Sequence, residues 1–200
     1  MSWNNKVIWT EGMFLRPQHF QQQTRYLENY IEGRASVLRS YPWGLNRFQL
    51  DLQLLTLGKF GISSAQGVFS DGTPFNIPDD DGIPSVLDIP ENIHNTVVYL
   101  GLPVRRQGGV DADSKDDPHG LARYLCREYE TRDNNAGFDS EAQLQVGKLR
   151  MRLLLENEKL DDYFCIGVAR IIELSSNNQV VLDEEFIPTV LNCQAEPVLT

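Results

Sequence analysis

From Leu45 onward the chain is a series of short apolar runs separated by glycine, proline, asparagine and aspartate. Runs of this kind are typical of β-strands, because an amphipathic helix needs a longer periodic stretch than these turn-forming residues leave. The pattern predicts a mainly β fold over residues 43–190. We expect an antiparallel β-sandwich of roughly seven to nine strands, given the usual spacing of short strands in sandwiches.

Individual runs support this interpretation. Asp71-Gly72 lies between two aromatic-bearing runs and offers the positive φ angles of a tight hairpin. Residues 96–104 form a nearly continuous apolar run, which is typical of a strand covered on both faces. Residues 121–133 fit a strand or a short amphipathic helix about equally well, and their strand-like neighbours favour the strand. Residues 163–174 and 179–188 are predicted to be two further strands.

The run from residue 141 to residue 158 changes phase along its length. Between residues 149 and 155 apolar side chains alternate with basic ones, whereas Leu144 and Val146 occupy the opposite phase. Strand side chains alternate strictly between two faces, so a phase change requires an inserted residue. We therefore predict a β-bulge at Gly147-Lys148.

Residues 1–42 lack the short strand-like runs of the rest of the chain, and they are predicted to form an arm and a helix. Pro17 suits the first turn of a helix, and residues 18–38 contain few residues that oppose helix formation. Gly33 and Pro42 bracket the region in which the helix ends. At 100° per residue, four apolar side chains lie within about 20° of one line: Phe20, Leu27, Ile31 and Leu38. The stripe predicts one buried helix face, against this chain or another.

The apolar residues of the arm precede the domain in which they would be buried. They either cover an open edge of the sandwich or reach a neighbouring subunit, where aromatic anchors and arginine supply most of the binding energy. On the second interpretation we predict an interface made of the following residues: Trp9, Met13, Phe14, Leu15, Arg16, His19, Phe20, Leu27 and Ile31.

Composition excludes several classes of partner. A net charge of −10 without a Lys/Arg cluster disfavours nucleic acid and anionic membranes. The three cysteines are odd in number and widely spaced, which favours reduced thiols in a cytoplasmic protein over a disulfide scaffold or a zinc site. No run of 18 apolar residues occurs, so no membrane insertion is expected.

Catalytic and metal-binding patterns are weak. His19, His94 and His119 lack metal-ligand spacing, and residues 111–116 depart from the calcium loop at the positions of its glycine and its last carboxylate. Nucleotide-binding and nucleophile-elbow motifs are lacking. The acidic residues 183–185 are interpreted as a solvated surface and not as a glycosidase pair. We expect no cofactor, no metal and no enzymatic activity.

The opening stretch "KVIWTEGMFLRPQHFQQQTRY" resembles the beginning of TssK, the trimeric baseplate component of bacterial type VI secretion systems. Further similar motifs follow in order: "PWG" at residues 42–44, "GVFSDGTPF" at 67–75, "VARIIE" at 168–173 and "VLDEEFIP" at 181–188. The resemblance departs at Thr24, where an acidic residue is usual, and at Thr189, where a second proline is common. It covers essentially all of the chain, which is shorter than the family's members.

The resemblance implies a sandwich similar to the shoulder domain of phage receptor-binding proteins, a homotrimer, and docking onto the baseplate wedge proteins TssF and TssG. Residues 191–200 would begin a linker to a missing C-terminal region that contacts the membrane complex of TssJ, TssL and TssM. The protein would then be a cytoplasmic structural adaptor recruited to the inner face of the membrane.

Two alternatives remain open. A glycan-binding or receptor-binding module would expose Trp3, Trp9 or Trp43 as a stacking platform. A carbohydrate-active enzyme would hold two carboxylates roughly 5 to 10 Å apart across a cleft.

Overall fold

The computed structural model describes residues 3–115, 117, 120–133, 135 and 141–195. Its helices are α1 (Pro17–Leu38), α2 (Leu52–Leu55) and a 3-10 turn (Cys193–Ala195). Its strands are β1 (Gly44–Leu50), β2 (Lys59–Phe60), β3 (Ile62–Val68), β4 (Pro74–Ile77), β5 (Leu87–Asp88), β6 (His94–Pro103), β7 (Ala112–Asp113), β8 (Tyr124–Arg132), β9 (Glu141–Leu149), β10 (Arg152–Leu155), β11 (Tyr163–Leu174) and β12 (Val180–Leu182).

The chain divides into two compact units, Met1–Pro42 and Trp43–Thr200. We call the first unit the leader and the second the body. At the end of the body, Leu191 donates its backbone N–H to the carbonyl of Leu45 over 2.7 Å, and Ala195 is buried. Residues 196–200 lie outside the described part of the chain, so the linker proposed for residues 191–200 stays a prediction.

The predicted helix is confirmed as α1, which begins at Pro17 and ends before Arg39. Pro17 occupies the first turn, where its missing N–H is no loss. The extended residue Arg16 precedes the helix, and its backbone N–H donates to Nδ1 of His19 over 3.1 Å. None of the helix's 22 residues, all of them described, is buried. Burial of the apolar stripe, against this chain or another, therefore stays a prediction.

The body is the predicted antiparallel β-sandwich. One sheet has the order β1-β3-β4 and a second the order β10-β6-β11-β12, while β2-β5 form a two-stranded sheet and β7-β8-β9 a further three-stranded sheet. Every strand pair is antiparallel except β7 with β8 among the described residues. The long strand β6 lies between β10 and β11, and its residues 97 to 103 are buried apart from Tyr99. The prediction of a strand covered on both faces is confirmed.

A single hydrophobic core is formed mainly by the β1-β3-β4 sheet and the β10-β6-β11-β12 sheet. The three-stranded sheet contributes fully buried side chains such as Leu45, and the four-stranded sheet contributes Leu100 and Ile166. Burying side chains of this size stabilises a fold by roughly 1.5–3 kcal/mol each. The body therefore contains a core of its own.

The number of strands differs from the predicted seven to nine. The described residues form 12 strands, of which β2, β5 and β7 have two residues each. The short helix α2 was also not predicted. It begins where the Asp51 carboxylate accepts hydrogen bonds from the backbone N–H groups of Gln53 and Leu54. These strands and this helix are too short to produce a recognisable period of apolar residues in the sequence.

The hairpin predicted at Asp71-Gly72 is confirmed between β3 and β4. The backbone N–H of Phe69 donates to the carbonyl of Thr73 over 2.9 Å. Only the glycine of the pair takes a positive φ, +83°. The rings of Phe69 and Phe75, on either side of the turn, have centroids 4.8 Å apart.

The β-bulge predicted at Gly147-Lys148 is wrong. β8 pairs with β9 without a register shift from Tyr124–Leu149 to Arg132–Glu141. Leu144 and Val146 lie on one face of β9, and the buried Leu149 lies on the opposite face of the same strand. The apparent change of phase therefore reflects apolar residues on an exposed face, and no inserted residue is needed. After Arg150 and Met151 the chain continues as β10, which pairs with β6 in another sheet.

One arginine connects three segments of the body. The Arg123 side chain is 2% exposed and donates to the carbonyl of Pro103 over 2.7 Å and to Oγ1 of Thr73 over 2.5 Å. Its guanidinium also pairs with the Asp71 carboxylate in the β3–β4 turn. A buried charge is stable only when it is paired and hydrogen-bonded, so this network orders the turn against β6 and the start of β8.

The three cysteines are free thiols. Cys126 and Cys165 lie in strands and Cys193 is exposed. Burial raises the pKa of the Cys165 thiol to about 11.

Candidate protein-protein interface

The arm folds back along α1 within the leader. The amide nitrogen of Gln22 donates to the carbonyl oxygens of Trp3 and Asn5 over 2.9 and 2.6 Å. Arg25 donates to the Gln22 amide oxygen over 2.6 Å, and its guanidinium carbon lies 5.2 Å from the centre of the Trp3 ring. Glutamine and arginine on the helix therefore bind the start of the arm by pairing with its backbone and its first aromatic ring.

The later part of the arm lies beside the first turn of the helix. The ring centre of Trp9 is 6.1 Å from that of His19 and 6.3 Å from that of Phe20. Tilted rings at this separation attract each other beyond their burial. Since Trp3 contacts the middle of the helix and Trp9 its beginning, the arm runs antiparallel to α1. Gly12, with φ of +74°, then allows the chain to turn toward Pro17.

Most of the predicted interface residues are exposed in the single chain. Arg16 is exposed, while Met13 and His19 are half-buried. The exposed fractions of the apolar members are 81% for Phe14, 65% for Ile31, 56% for Phe20, 54% for Leu15, and 46% for both Trp9 and Leu27. The structure brings Trp9, His19 and Phe20 together. Exposed apolar side chains at this density are typical of interaction surfaces, and the predicted interface stays a prediction.

Sequence reasoning missed part of this surface. Further large apolar side chains of the leader are exposed: Ile8, Tyr30, Val37, Leu38 and Tyr41. The helical period identified only the central stripe, and Leu38 was part of that stripe without being assigned to the interface. In the described part of the leader, 11 large apolar residues are exposed, against 10 in the described part of the much longer body.

The leader and the body also differ in charge. Residues 1–42 contain five basic and three acidic side chains, although the whole chain contains 18 and 28. The leader is therefore weakly basic and the body strongly acidic. A weakly charged apolar surface loses little hydration energy when a partner covers it.

The tryptophans do not form a platform for sugars. Trp43 packs against the hydrophobic core of the body, Trp3 faces Arg25, and Trp9 lies beside His19 and Phe20. Each ring thus has a neighbour within the protein, which argues against the glycan-binding alternative.

The acidic residues 183–185 were interpreted as a solvated surface, and one of them takes part in local pairing. Asp183 pairs with Arg170 at 3.4 Å, and its other oxygen accepts the backbone N–H of Glu185. Among the described residues, no group of three or more His, Cys, Asp or Glu side chains could hold a metal ion. His119 and Asp116 lie outside the described residues.

Two cavities open on the body. One, of about 560 Å³, is lined by residues that include Arg106, Arg123 and Asp162. Lys159 and Arg106 beside Asp162 lower the pKa of that carboxyl. The other, of about 500 Å³, is lined by residues that include Asn46 and Asn76. Arg106 pairs with Asp162 in this cavity, whereas Arg123 pairs with Asp71 in the β3–β4 turn. No helix in the described part of the chain is long and apolar enough to cross a membrane.

A β-sandwich that carries an apolar helix without a buried residue has the construction of a subunit of a larger assembly. The family described as "Bacterial Type VI secretion, VC_A0110, EvfL, ImpJ, VasE" matches residues 19–200. The chain belongs to this family, the TssK family of type VI secretion proteins.

Its similarity to characterised relatives extends along the whole chain. It is 48% identical over 199 residues to the type VI secretion system baseplate component TssK1 of Pseudomonas aeruginosa, covering 100% of this chain and 45% of TssK1. A crystal structure of TssK has 42% identity and a TM-score of 0.92, with 98% of this chain and 44% of that chain covered. This chain thus spans less than half the length of these relatives.

A more distant structure shows the same fold. In the TssK-TssF-TssG baseplate subcomplex of the type VI secretion system, determined by cryo-electron microscopy, one chain matches with a TM-score of 0.86. The identity is 22%, and the match covers 97% of this chain and 64% of that chain. The fold predicted from the sequence, an antiparallel β-sandwich with an N-terminal arm and helix, is confirmed.

Proposed function

We propose that this chain is the sandwich-bearing part of a type VI secretion baseplate adaptor. The observation that carries the proposal is the 48% identity to TssK1 over the full length of this chain. The exposed leader supports it, because an adaptor needs a surface that other polypeptides can cover. The role is mechanical connection between assemblies, with no catalytic step.

The leader is the docking surface in this proposal. A helix of 22 residues is about 33 Å long at 1.5 Å per residue. Isolated helices are marginally stable in water, and most helical stability in proteins comes from packing an apolar face. Covering side chains as large as Phe14, Phe20 and Ile31 would stabilise a complex by roughly 1.5–3 kcal/mol each before ordering costs. The helix and its partner therefore stabilise each other.

The partners follow from the family. The wedge proteins TssF and TssG are the proposed binding partners of a homotrimer of this protein, because a related chain is found in a TssK-TssF-TssG subcomplex. The link to TssJ, TssL and TssM belongs to the part of longer relatives that this chain does not cover. The assembly would lie in the cytoplasm, at the inner face of the cytoplasmic membrane.

The triple change of Phe14, Leu15 and Phe20 to alanine tests the docking role. We expect capture by co-expressed TssF and TssG to fall at least about tenfold, because interface anchors of this size each contribute 1 kcal/mol or more. Pull-down measures capture, and light scattering measures the mass of the assembly.

A matched control changes three exposed apolar residues of the body to alanine, namely Leu52, Leu57 and Ile83. It removes a similar apolar area and is expected to leave capture within about twofold, as neutral surface changes do. Unchanged assembly of the leader variant, or equal losses in both variants, would refute leader docking.

A further inference from the structure

The start of the arm is held against α1 by side chains. Residues 3–16 contain no helix or strand, so no ladder of backbone hydrogen bonds fixes this segment. Gln22 donates to the carbonyl oxygens of Trp3 and Asn5. The amide nitrogen of Asn4 donates to the side-chain oxygen of Asn29 over 3.1 Å. The arm is therefore bound to the helix at a few defined points.

The start of the arm and the apolar stripe lie on opposite faces of α1. The helix residues that contact the start of the arm are Gln22, Arg25 and Asn29. At about 100° per residue, these three positions lie within about 35° of one line. That line is about 180° from the line of the apolar stripe. A partner that covers the stripe therefore leaves the start of the arm in place.

The arm reaches the stripe only at the first turn of the helix. There the Trp9 ring lies beside the rings of His19 and Phe20, and Phe20 is the first residue of the stripe. Phe14 and Leu15, which are both exposed, follow before the helix begins. The position of Trp9 beside the stripe thus depends on where the rest of the arm is held.

A free arm would weaken docking. Ordering a flexible segment costs conformational entropy for every residue that is fixed. If only the arm-bound form of the leader docks, the apparent affinity for the partner is reduced by the fraction of molecules in that form. Contacts that hold the arm before docking therefore strengthen binding without touching the partner.

Gln22 is the centre of the contacts that hold the arm. Its amide nitrogen donates to two arm carbonyls, over 2.9 and 2.6 Å, and its amide oxygen accepts from Arg25 over 2.6 Å. Arg25 in turn lies over the Trp3 ring. Glutamine suits this position because its amide is both a donor and an acceptor, whereas a glutamate carboxylate only accepts.

We propose that Gln22 is a positioning residue for docking. It holds the arm on one face of α1, so that Trp9 and the apolar stripe meet the partner as one preformed surface. The arm stays bound in the docked state and is not displaced by the partner. This inference rests on the proposed function, because docking through the leader is the step that the bound arm assists.

The test replaces Gln22 with glutamate. Gln22→Glu keeps the size of the side chain and its acceptor for Arg25, but it places a carboxylate against two carbonyl oxygens. Gln21→Glu is the matched control, because it makes the same change at the neighbouring, exposed residue. The body has a core of its own, so both variants should fold, and circular dichroism checks this.

Two measurements are compared. Trypsin cleavage after the exposed Lys6 requires the buried Val7 beside it to become accessible, so the cleavage rate reports the free arm. We expect Gln22→Glu to raise this rate about tenfold and to lower capture by co-expressed TssF and TssG at least about threefold. Gln21→Glu should change both quantities by less than about twofold.

Removal of residues 1–5 separates positioning from direct contact with the partner. It deletes both carbonyl groups that Gln22 binds and should itself lower capture at least about threefold. In the shortened chain, Gln22→Glu should change capture by less than about twofold, since residues that act through one another have non-additive effects. A full effect of Gln22→Glu in the shortened chain would overturn the proposal.

The failure of this inference differs from the failure of leader docking. Unchanged cleavage after Lys6, or unchanged capture, in Gln22→Glu would overturn the positioning role. If the triple alanine variant of Phe14, Leu15 and Phe20 loses capture in the same experiment, leader docking still stands. Retained capture by the triple variant would refute leader docking and, with it, the inference that rests on it.

Discussion

The leader helix α1 and the central strand β6 both contain large apolar residues but meet opposite environments. None of the 22 residues of α1 is buried, whereas six of the ten residues of β6 are. β6 pairs with a strand on each side, while α1 is bound to the arm through side chains such as Gln22 and Arg25. The body is therefore stabilised by a cooperative core, and the leader by local contacts.

The difference indicates where each region obtains its stability. Removing a core side chain of the body leaves a cavity that surrounding strands cannot fill. Removing one of the exposed apolar side chains of the leader leaves no cavity of this kind. The leader is expected to gain most of its stability from whatever covers it, and substitutions should reveal this in the isolated chain.

The largest contrast is expected between two arginines. Arg123→Met leaves the Asp71 carboxylate and the carbonyl of Pro103 without their donor, and it should lower the free energy of unfolding by about 3–5 kcal/mol. Arg25→Met in the leader removes a contact with the Trp3 ring and should cost about 1 kcal/mol. Urea unfolding followed by fluorescence measures both. Similar losses would contradict the division into a cooperative body and a locally stabilised leader.

A second contrast uses two leucines. Leu100→Ala in β6 removes a fully buried side chain and should cost about 2–5 kcal/mol. Leu27→Ala in α1 changes a half-exposed side chain and should alter the unfolding free energy by about 0.5 kcal/mol. Thermal unfolding of the two variants measures both losses of stability. A large loss for Leu27→Ala in the isolated chain would show that the helix face is already covered there.

The smallest effect is a gain of stability. Gly33 lies inside α1, and a Cβ atom at this position would meet no atom within 4 Å. Gly33→Ala should therefore stabilise the helix by roughly 0.5–1 kcal/mol, seen as a higher melting temperature of the helical circular dichroism signal. The matched change Gly67→Ala places a Cβ atom 2.4 Å from the carbonyl of Gly44 in the body and should destabilise it. A loss of helicity on Gly33→Ala would contradict the open surroundings of this position.

Sequence patterns identified those features of the fold that depend on neighbouring residues. The extent of α1, the turn at Gly72 and the covered strand β6 each follow from local composition or period. The apolar surface of the leader was also predicted, apart from its outer residues such as Val37 and Tyr41. These side chains were missed because they lie off the apolar stripe of the helix. The helical period of apolar residues does not show which other side chains are exposed to solvent.

Other features depended on residues that are distant in sequence. Arg123 looks like a surface residue in the sequence, yet its partners Asp71, Thr73 and Pro103 make it one of the most buried side chains of the body. No local signal could have identified it, because the network joins segments that are 20 to 52 residues apart.

By itself the sequence determined the alternation of apolar and polar residues, and with it the class of fold and the apolar stripe of α1. Only the tertiary structure decided that the run through Arg150 and Met151 leaves one sheet for another, that β6 lies between β10 and β11, and that Arg123 is buried. The physical reason is that backbone period is set by near neighbours, whereas strand pairing and charge burial are set by the free energy of contacts between distant segments.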